Sequence, residues 1–241
     1  MNNFNAVAVN CIELFMVRTF FSLIFISIIA FLTACGVQNG VVIDVDSRPL
    51  VPPKETLTSP KIIAFGDSLT AGFGLEEIES YPYLLQQRLK ADGFDYAVVN
   101  AGVSGDTSLG GLERIDWTLE SENAKVLILE LGANDLLRGV PPGKMKENLD
   151  KIIEKAKAKN VDVLLCGMIA PPTMGAEYQR AFSDAFPDLA EKHDVEYVPF
   201  LLDGVALNSD LNQADGIHPN AQGTRMMMEN VYRELKPLLT K

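Results

Sequence analysis

A chain of 241 residues is long enough for one domain with its own core, and 47% hydrophobic with 22% charged residues is ordinary for a globular protein. The net charge of −11, with no basic cluster, argues against nucleic acid as a partner. The cysteines, Cys11, Cys35 and Cys166, show no C-x-x-C spacing, so a zinc site is not expected. No other metal and no organic cofactor is expected either, and the sequence does not set an oligomeric state.

Residues 1–34 have the features of a lipoprotein-type signal peptide. An apolar run of 13 residues, Phe20–Leu32, is too short to span a bilayer but suits the hydrophobic region of an export signal. Small residues then precede Cys35 in a pattern that resembles the bacterial lipobox, so we expect lipidation of Cys35. Two alternatives stay open: a plain secretory signal in which Cys35 is incidental, and an uncleaved membrane anchor.

The segments on either side of this signal add two expectations. Residues 1–15 carry no positive charge, whereas Arg18 directly precedes the apolar run, which suggests that translation starts at Met16. Residues 35–60 contain four prolines and no helical periodicity, so they predict a flexible tether with a reach of about 25–30 Å. A domain over residues 61–241 would then be held to a membrane of the bacterial cell envelope and face the periplasm, with the inner or outer membrane undetermined.

From residue 61 onward, apolar runs of strand length alternate with segments of helical periodicity. The predicted strands are Lys61–Phe65, Tyr96–Val99, Lys125–Leu131, Val161–Ile169 and Val195–Val198. The predicted helices are Tyr81–Asp92, Leu109–Leu119, Lys144–Lys159, Glu177–His193 with an interruption at Pro187, and Asn220–Leu235. This alternation predicts an α/β fold with about five parallel strands between helical layers.

Polar motifs follow the first three predicted strands directly. Gly66–Leu69 (GDSL) follows the first strand, Gly105 lies in the loop after the second, and Asn134 follows the third. A further motif, with Asp215 three residues before His218, precedes the last predicted helix. Because sites in open parallel sheets collect at the carboxyl ends of the strands, we expect these residues to lie together.

Ser68 is the candidate nucleophile, although a serine at a strand-to-helix turn is by itself equally typical of a helix cap. A serine nucleophile needs a base, and the chain has only two histidines. His193 lies at a predicted helix end, where we expect a structural or solvated role, which leaves His218 as the base. Asp215 can orient the imidazole through a turn, unless it only stabilises that turn and His218 only marks the helix entry.

Acyl transfer also needs donors for the oxyanion of the tetrahedral intermediate. The candidates are the backbone N–H of Ser68, the backbone N–H of Gly105 and the side-chain amide of Asn134. Each of the last two has an alternative, because Gly105 is also suited to a chain turn and Asn134 to capping the loop at the strand end.

These four motifs, in this order and spacing, resemble the conserved blocks of the SGNH (GDSL) hydrolases over about residues 61–237. The stretches Gly66–Leu75, Ser104–Ser108 and Leu137–Pro142 look like the bacterial arylesterase and thioesterase/lysophospholipase branch. The resemblance implies a flavodoxin-like three-layer α/β/α sandwich. It also implies a catalytic triad of Ser68, His218 and Asp215, with Ser68, Gly105 and Asn134 as oxyanion donors.

The function that follows is a serine esterase that hydrolyses aryl or acyl esters, acyl thioesters or lysophospholipids through an acyl-enzyme. Leu136 and Leu137 either line an acyl site or pack inward, which leaves the preferred acyl chain open. Two other functions are weighed: removal of O-acetyl groups from an envelope polysaccharide, and a non-catalytic binding lipoprotein that has kept the fold.

Overall fold

The structure is a computed structural model that describes residues 59–121 and 123–239. The expectations for residues 1–58, which include the signal peptide, the start at Met16, the lipidation of Cys35 and almost all of the tether, lie outside the described residues. No helix in the described part of the chain is long and apolar enough to cross a membrane.

A single sheet of five parallel strands forms the centre of the described domain. The strands are β1 (Lys61–Gly66), β2 (Ala97–Gly102), β3 (Ala124–Glu130), β4 (Asp162–Cys166) and β5 (Glu196–Val198). They lie in the order β2-β1-β3-β4-β5, and each neighbouring pair is parallel. The prediction of an α/β fold with about five parallel strands is confirmed.

Helices connect the strands and cover both faces of the sheet. They are α1 (Ser68–Ala71), α2 (Tyr81–Ala91), α3 (Ser108–Thr118), α4 (Ala133–Leu137), α5 (Pro142–Ala158), α6 (Ala176–His193) and α7 (Ala221–Leu239), with 3₁₀ turns at Glu77–Glu79 and Pro172–Met174. Helix α2 packs against α7, whereas α5 packs between α3 and α6. The sheet between these two layers gives the three-layer sandwich that the resemblance implies.

The core forms where the apolar strands meet the apolar stripes of the helices. Strands β1 and β3 are buried on both faces, as the continuous apolar runs predict. The apolar stripe predicted for the helix after β3 is buried on α5, and it consists of Met145, Leu149, Ile152, Ile153 and Ala156. Such burial on both sides of the sheet fixes the strand ends that carry the polar motifs.

The strand order explains why motifs far apart in sequence lie together. β1 is hydrogen-bonded to β2 on one side and to β3 on the other, and Gly66 at its end lies beside Gly102 and Glu130. The chain therefore leaves the sheet at three adjacent points along one edge, and the motifs of Ser68, Gly105 and Asn134 begin there.

The strand predicted over Val161–Ile169 is wrong at both ends. Val161 belongs to the turn that ends α5, since its N–H donates to the carbonyl of Ala156 at 3.1 Å. Beyond Cys166 the chain leaves the sheet, and Met168 and Ile169 line a cavity. The run stays apolar after the strand because it faces that cavity, and periodicity does not distinguish the two situations.

Two of the helix predictions also need correction. The interruption expected at Pro187 is absent from α6, which runs unbroken because Pro187 faces solvent while Phe186 and Leu189 on either side of it are buried. The last helix continues beyond its predicted end, through Pro237 to Leu239, where the final leucines pack against the core.

Candidate active site

The turn after β1 places Ser68 at the first position of α1. Asp67 caps this short helix, since its Oδ1 accepts a hydrogen bond from the backbone N–H of Leu69 at 3.0 Å. Gly72 ends the helix in the left-handed conformation, with φ of +80°. Both ends of α1 are therefore capped, and Ser68 lies just beyond the end of β1, the strand between β2 and β3.

The turn before α7 holds Asp215 and His218 in one hydrogen-bonded unit. The Oδ1 of Asp215 accepts hydrogen bonds from the backbone N–H groups of Ile217 and His218, each at 3.0 Å. Its Oδ2 lies 2.7 Å from Nδ1 of His218. The hydrogen bond from the His218 side chain, followed by those from the backbone, lowers the pKa of Asp215 to about 2. Asp215 is therefore a carboxylate that fixes the orientation of the imidazole.

Ser68 and His218, 150 residues apart in sequence, come together across the mouth of a cavity. Nε2 of His218 lies 2.9 Å from the Ser68 Oγ, so a chain of hydrogen-bonding contacts runs from Asp215 through His218 to Ser68. The ring of Phe73 lies 4.6 Å from the imidazole ring, centroid to centroid. The structure thus brings together the three residues that the sequence predicts as nucleophile, base and orienting acid.

Gln213 joins the His218 turn to the chain that follows Ser68. Its Nε2 donates to the carbonyl of Phe73 at 2.7 Å and to the carbonyl of Pro219 at 3.0 Å. Gly74 has a left-handed backbone with φ of +74°, and a Cβ there would lie 2.3 Å from the Gln213 amide oxygen, so a side chain at position 74 would be strained and would displace the Gln213 amide. The sequence analysis missed Gln213, and only its place two residues before Asp215 hinted at a role.

The three candidate oxyanion donors, Ser68, Gly105 and Asn134, all line this cavity. Gly105 lies in a tight turn with φ of +82°, a conformation that disfavours any side chain. Its carbonyl accepts a hydrogen bond from Nη2 of Arg138 at 2.6 Å. The side chain of Asn134 donates through Nδ2 to Oδ2 of Asp67 at 2.8 Å, and the second hydrogen of that nitrogen is available to a substrate.

The residue after Asn134 anchors its helix. Asp135 is buried and accepts hydrogen bonds from the backbone N–H of Ser108 at 2.7 Å and from the Ser108 hydroxyl at 2.6 Å. Ser108 is the first residue of α3, so Asp135 ties the short helix α4 to the start of α3. This attachment fixes the backbone from which the Asn134 amide projects.

Two acidic residues, Asp67 and Glu130, are fully buried beneath the nucleophile turn. Burial raises the pKa of both, and it raises that of Glu130 well above its usual range. Hydrogen bonds from Leu69, Glu130 and Asn134 counteract the effect at Asp67. Asp67 was singled out from the sequence only as part of the GDSL motif, and Glu130 was missed, although a charged residue at the end of the apolar run of β3 was a usable signal.

Arg114 on α3 connects the ends of β1 and β2. Its guanidinium donates to Oδ2 of Asp106 at 2.7 Å, to the carbonyl of Ala101 at 2.9 Å and to the carbonyl of Gly66 at 3.0 Å. It also stacks over the ring of Phe65 at 3.8 Å. The loop that carries Gly105 is thereby fixed relative to the Ser68 turn.

The cavity beside Ser68 and His218 has a volume of about 540 Å³ and is lined mainly by apolar side chains. Leu136 and Leu137 line it, so the leucine pair that follows Asn134 is directed to the cavity. Leu207 lies at the cavity with 98% of its surface exposed and a left-handed backbone, φ +63°. A cavity of this size and polarity accommodates an apolar chain beside the serine hydroxyl.

His193 has a structural role, as the sequence analysis expected. Its Nε2 lies 2.5 Å from Oδ1 of Asp150, and Glu154 is near enough for the three residues to form a group that a metal ion could bridge. However, the ammonium of Lys192 lies 2.6 Å from Asp150 and 4.0 Å from Glu154, so a cation already neutralises these carboxylates. This group joins α5 to α6 on the surface.

Comparison with known proteins agrees with this fold and site. The family model described as "GDSL-like Lipase/Acylhydrolase family" matches residues 64–226. Esterase TesA of Pseudomonas aeruginosa is 43% identical over 178 residues, which cover 74% of this chain and 89% of the relative. Thioesterase 1/protease 1/lysophospholipase L1 of Escherichia coli K12 is 35% identical, over 74% of this chain and 84% of the relative.

Among solved structures, a crystal structure of TesA superposes with a TM-score of 0.72 at 42% identity and covers 74% of this chain and 99% of its own. Residues 64–226, which the family model matches, include Ser68, Asp215 and His218 and all the residues that line the cavity. The chain therefore belongs to the GDSL-like lipase/acylhydrolase family, the SGNH hydrolases.

Proposed function

We propose that Ser68, His218 and Asp215 form the catalytic triad with which this chain hydrolyses carboxylic esters through an acyl-enzyme. As a member of its family, the protein is a serine esterase. The observation that carries the assignment of roles is the unbroken contact chain, with Asp215 2.7 Å from His218 and His218 2.9 Å from the serine hydroxyl.

In the first half of the reaction, the Ser68 Oγ attacks the carbonyl carbon of the ester while its proton passes to Nε2 of His218. Asp215 holds the proton of Nδ1 and stabilises the imidazolium that forms. The pair of electrons from the carbonyl double bond moves to oxygen, which the donors at Ser68, Gly105 and Asn134 stabilise. The tetrahedral intermediate then expels the alcohol, to which His218 returns the proton.

In the second half, water attacks the acyl-enzyme and gives a proton to His218. The same donors stabilise the second oxyanion, and its collapse breaks the bond between the acyl carbon and the Ser68 Oγ. His218 protonates the serine oxygen, and a carboxylic acid leaves. Each step needs only the side chains named and the substrates, ester and water.

We further propose that the preferred substrates carry an acyl chain longer than acetyl. The support is the volume and apolar lining of the cavity beside the nucleophile, in which Phe200, Leu202 and Ile169 take part. A series of p-nitrophenyl acetate, butyrate, octanoate and dodecanoate tests this. We expect kcat/KM to rise beyond acetate, whereas activity confined to acetate would favour the polysaccharide deacetylase.

The contrasting candidate is a binding lipoprotein without catalysis. Ser68→Ala removes the nucleophile and leaves the buried side chains of the turn in place, so we expect a folded protein without p-nitrophenyl butyrate hydrolysis. Turnover in the variant equal to that of the wild type would refute the assignment of Ser68. A wild type that neither turns over esters nor reacts with a fluorophosphonate would favour the binding protein.

We also propose that the esterase domain works in the bacterial envelope, exported by residues 1–34 and held through a lipid on Cys35. The support is the order of apolar run, small residues and cysteine in the sequence. Growth with an alkyne fatty acid tests it, and we expect labelled wild type in the membrane fraction and unlabelled Cys35→Ser. An unlabelled wild type would contradict lipidation and leave two explanations for residues 1–34, a plain export signal and an uncleaved anchor. N-terminal sequencing of the protein distinguishes them.

A further inference from the structure

Glu130 is a buried acid that the proposed reaction does not use. It is the last residue of β3, and its side chain has no solvent exposure. The Oε2 atom accepts a hydrogen bond from the backbone N–H of Asp67 at 3.1 Å and another from the hydroxyl of Thr70 at 2.8 Å. An ionised carboxylate can only accept hydrogen bonds, and in that form the buried Oε1 atom has no hydrogen-bond partner among the described residues.

The backbone at Gly66 approaches the Glu130 carboxyl group closely. A Cβ on Gly66 would lie 2.3 Å from the Glu130 Oε2 and 2.1 Å from the Thr70 hydroxyl. Strand β1 thus approaches the carboxyl group so closely that only glycine fits at position 66. The carboxyl group is built into the floor of the Ser68 turn.

The pattern of hydrogen bonds places a proton on the Oε1 atom. Oε2 already accepts two hydrogen bonds, which occupy both of its lone pairs. An ionised Glu130 would leave a buried oxygen with negative charge and no donor, which is strongly unfavourable in a protein interior. A neutral carboxyl with its hydrogen on Oε1 becomes a donor, and the adjacent carboxyl group of Asp67 is its acceptor.

We propose that Glu130 keeps its proton while the enzyme works and donates it to the Asp67 carboxylate, so that a chain of hydrogen bonds from Glu130 through Asp67 fixes the direction of the Asn134 amide. Asp67 is the junction, because its Oδ2 accepts from Asn134 at 2.8 Å. Glu130 is then a positioning residue that acts on the oxyanion through two others. This inference rests on the proposed role of Asn134 as an oxyanion donor.

The groups that face Glu130 come from four elements. Asp67 follows β1, Thr70 belongs to α1, Tyr81 begins α2, and Cys166 ends β4. Burial raises the pKa of Tyr81 and of Cys166 well above their usual ranges, so both stay neutral near neutral pH. Burial raises the pKa of Asp67 less far than that of Glu130, because hydrogen bonds from Leu69, Glu130 and Asn134 counteract it, so Asp67 carries the negative charge of the acid pair.

The first test needs no substrate and compares the urea unfolding midpoints of the wild type and Glu130→Gln at several pH values. Glutamine is neutral at every pH, whereas Glu130 holds a proton in the folded chain and loses it in the unfolded chain above its ordinary pKa of about 4.3. The folded-state pKa is raised, so the wild type loses stability relative to the variant as pH rises. The two proteins differ at this one side chain, so the comparison isolates the contribution of the Glu130 carboxyl group.

We therefore expect the ratio of the two unfolding equilibrium constants, wild type over Glu130→Gln, to rise by up to about tenfold per pH unit between about pH 5 and pH 8. A difference between the two proteins that does not change with pH would overturn the inference, because Glu130 would then be ionised when folded. Since this readout involves no ester, it stands even if the esterase assignment of the site fails.

The second test separates positioning from mere packing through kcat and KM. Glu130→Gln keeps a donor toward Asp67, so most of kcat should remain, whereas Glu130→Met, similar in length but without a donor, should lose about tenfold to a hundredfold in kcat with little change in KM. In an Asn134→Ala background that loss should disappear. An equal loss with and without Asn134, or an equal loss in both Glu130 variants, would overturn the proposed chain.

Discussion

Asn134 donates a hydrogen bond from Nδ2 to Oδ2 of Asp67 over 2.8 Å and thereby joins the loop after β3 to the residue directly before Ser68. The amide nitrogen has two hydrogens, and Asp67 engages one of them. Asn134 and Ser68 both line the cavity. The carboxylate of Asp67 therefore joins the turn of the proposed nucleophile to the proposed oxyanion donor.

This relationship predicts the effect of Asn134→Ala. The variant loses one of the three proposed oxyanion donors but keeps the proposed triad, so we expect kcat for p-nitrophenyl butyrate to fall by about a hundredfold to a thousandfold with KM nearly unchanged. Steady-state kinetics with circular dichroism as a check on folding measure this. A loss confined to KM would mean that Asn134 only binds the ground state.

The Asp215–His218 pair predicts both a variant effect and the shape of the pH profile. Asp215→Asn accepts a weaker hydrogen bond and favours the wrong tautomer of His218, so kcat should fall by about ten thousandfold. Because hydrogen bonds hold the pKa of Asp215 at about 2, this carboxylate stays ionised in any practical assay. Its contribution to stability is complete only above the unfolded pKa of about 3.9 and is lost as pH falls from there through about 2.

The acid limb of the wild-type kcat profile should accordingly have the slope of a single ionisation, because the permanently ionised Asp215 adds none. Stopped assays with an acid-stable aryl ester extend the profile to low pH. A slope of two protons in the range where the protein remains folded would contradict the assignment of Asp215 as a permanent anion.

The hydrogen bonds of Gln213 predict that its substitution disturbs the position of His218 relative to Ser68 and leaves the reacting groups themselves in place. Its amide ties Phe73 to Pro219 and so fixes the His218 turn relative to Ser68. Gln213→Ala should lower kcat by about tenfold to a hundredfold, because small misplacements of a base are costly. Gln213→Glu, which has no N–H donor and faces two carbonyl oxygens, should lower it further. If Glu proved as active as Gln, these hydrogen bonds would not align the base.

Leu207 predicts a change in chain-length preference without a loss of stability. Its side chain is 98% exposed at the cavity, so Leu207→Ser removes almost no packing from the folded protein. A long acyl chain that covers this side chain gains about 1 kcal/mol from it, so kcat/KM for the octanoate should fall about fivefold while that for acetate stays constant. Trp117→Ser, on the surface of α3, removes an exposed apolar side chain that does not line the cavity and is the matched control.

The parts of the fold that follow from local patterns were predicted from sequence. The continuous apolar runs of β1 and β3 and the stripe on α5 each satisfy a periodicity rule, and the alternation of strands and helices fixes a parallel sheet. The strand over Val161–Ile169 was misplaced because an apolar wall of a cavity and a buried strand have the same composition. Pro187 was misread because burial of its neighbours outweighs the preference of proline for helix ends.

At the site, the residues that the sequence analysis singled out are those in short motifs after strand ends. The residues that position these motifs through hydrogen bonds were missed, because their hydrogen-bond partners come close only when the chain is folded. Arg114 reaches the carbonyls of two strand ends, and Gln213 reaches a carbonyl 140 residues away. Glu130 becomes meaningful only when its strand is paired with β1.

The most direct test of the whole account is to identify the residue that a fluorophosphonate modifies. The wild type should gain one adduct, and peptide mapping by mass spectrometry should place it on Ser68. Ser104→Ala, which removes the other serine that lines the cavity, should still be labelled, and Ser68→Ala should not be. An adduct on a different residue, or undiminished labelling of Ser68→Ala, would contradict the claim that Ser68 is the nucleophile.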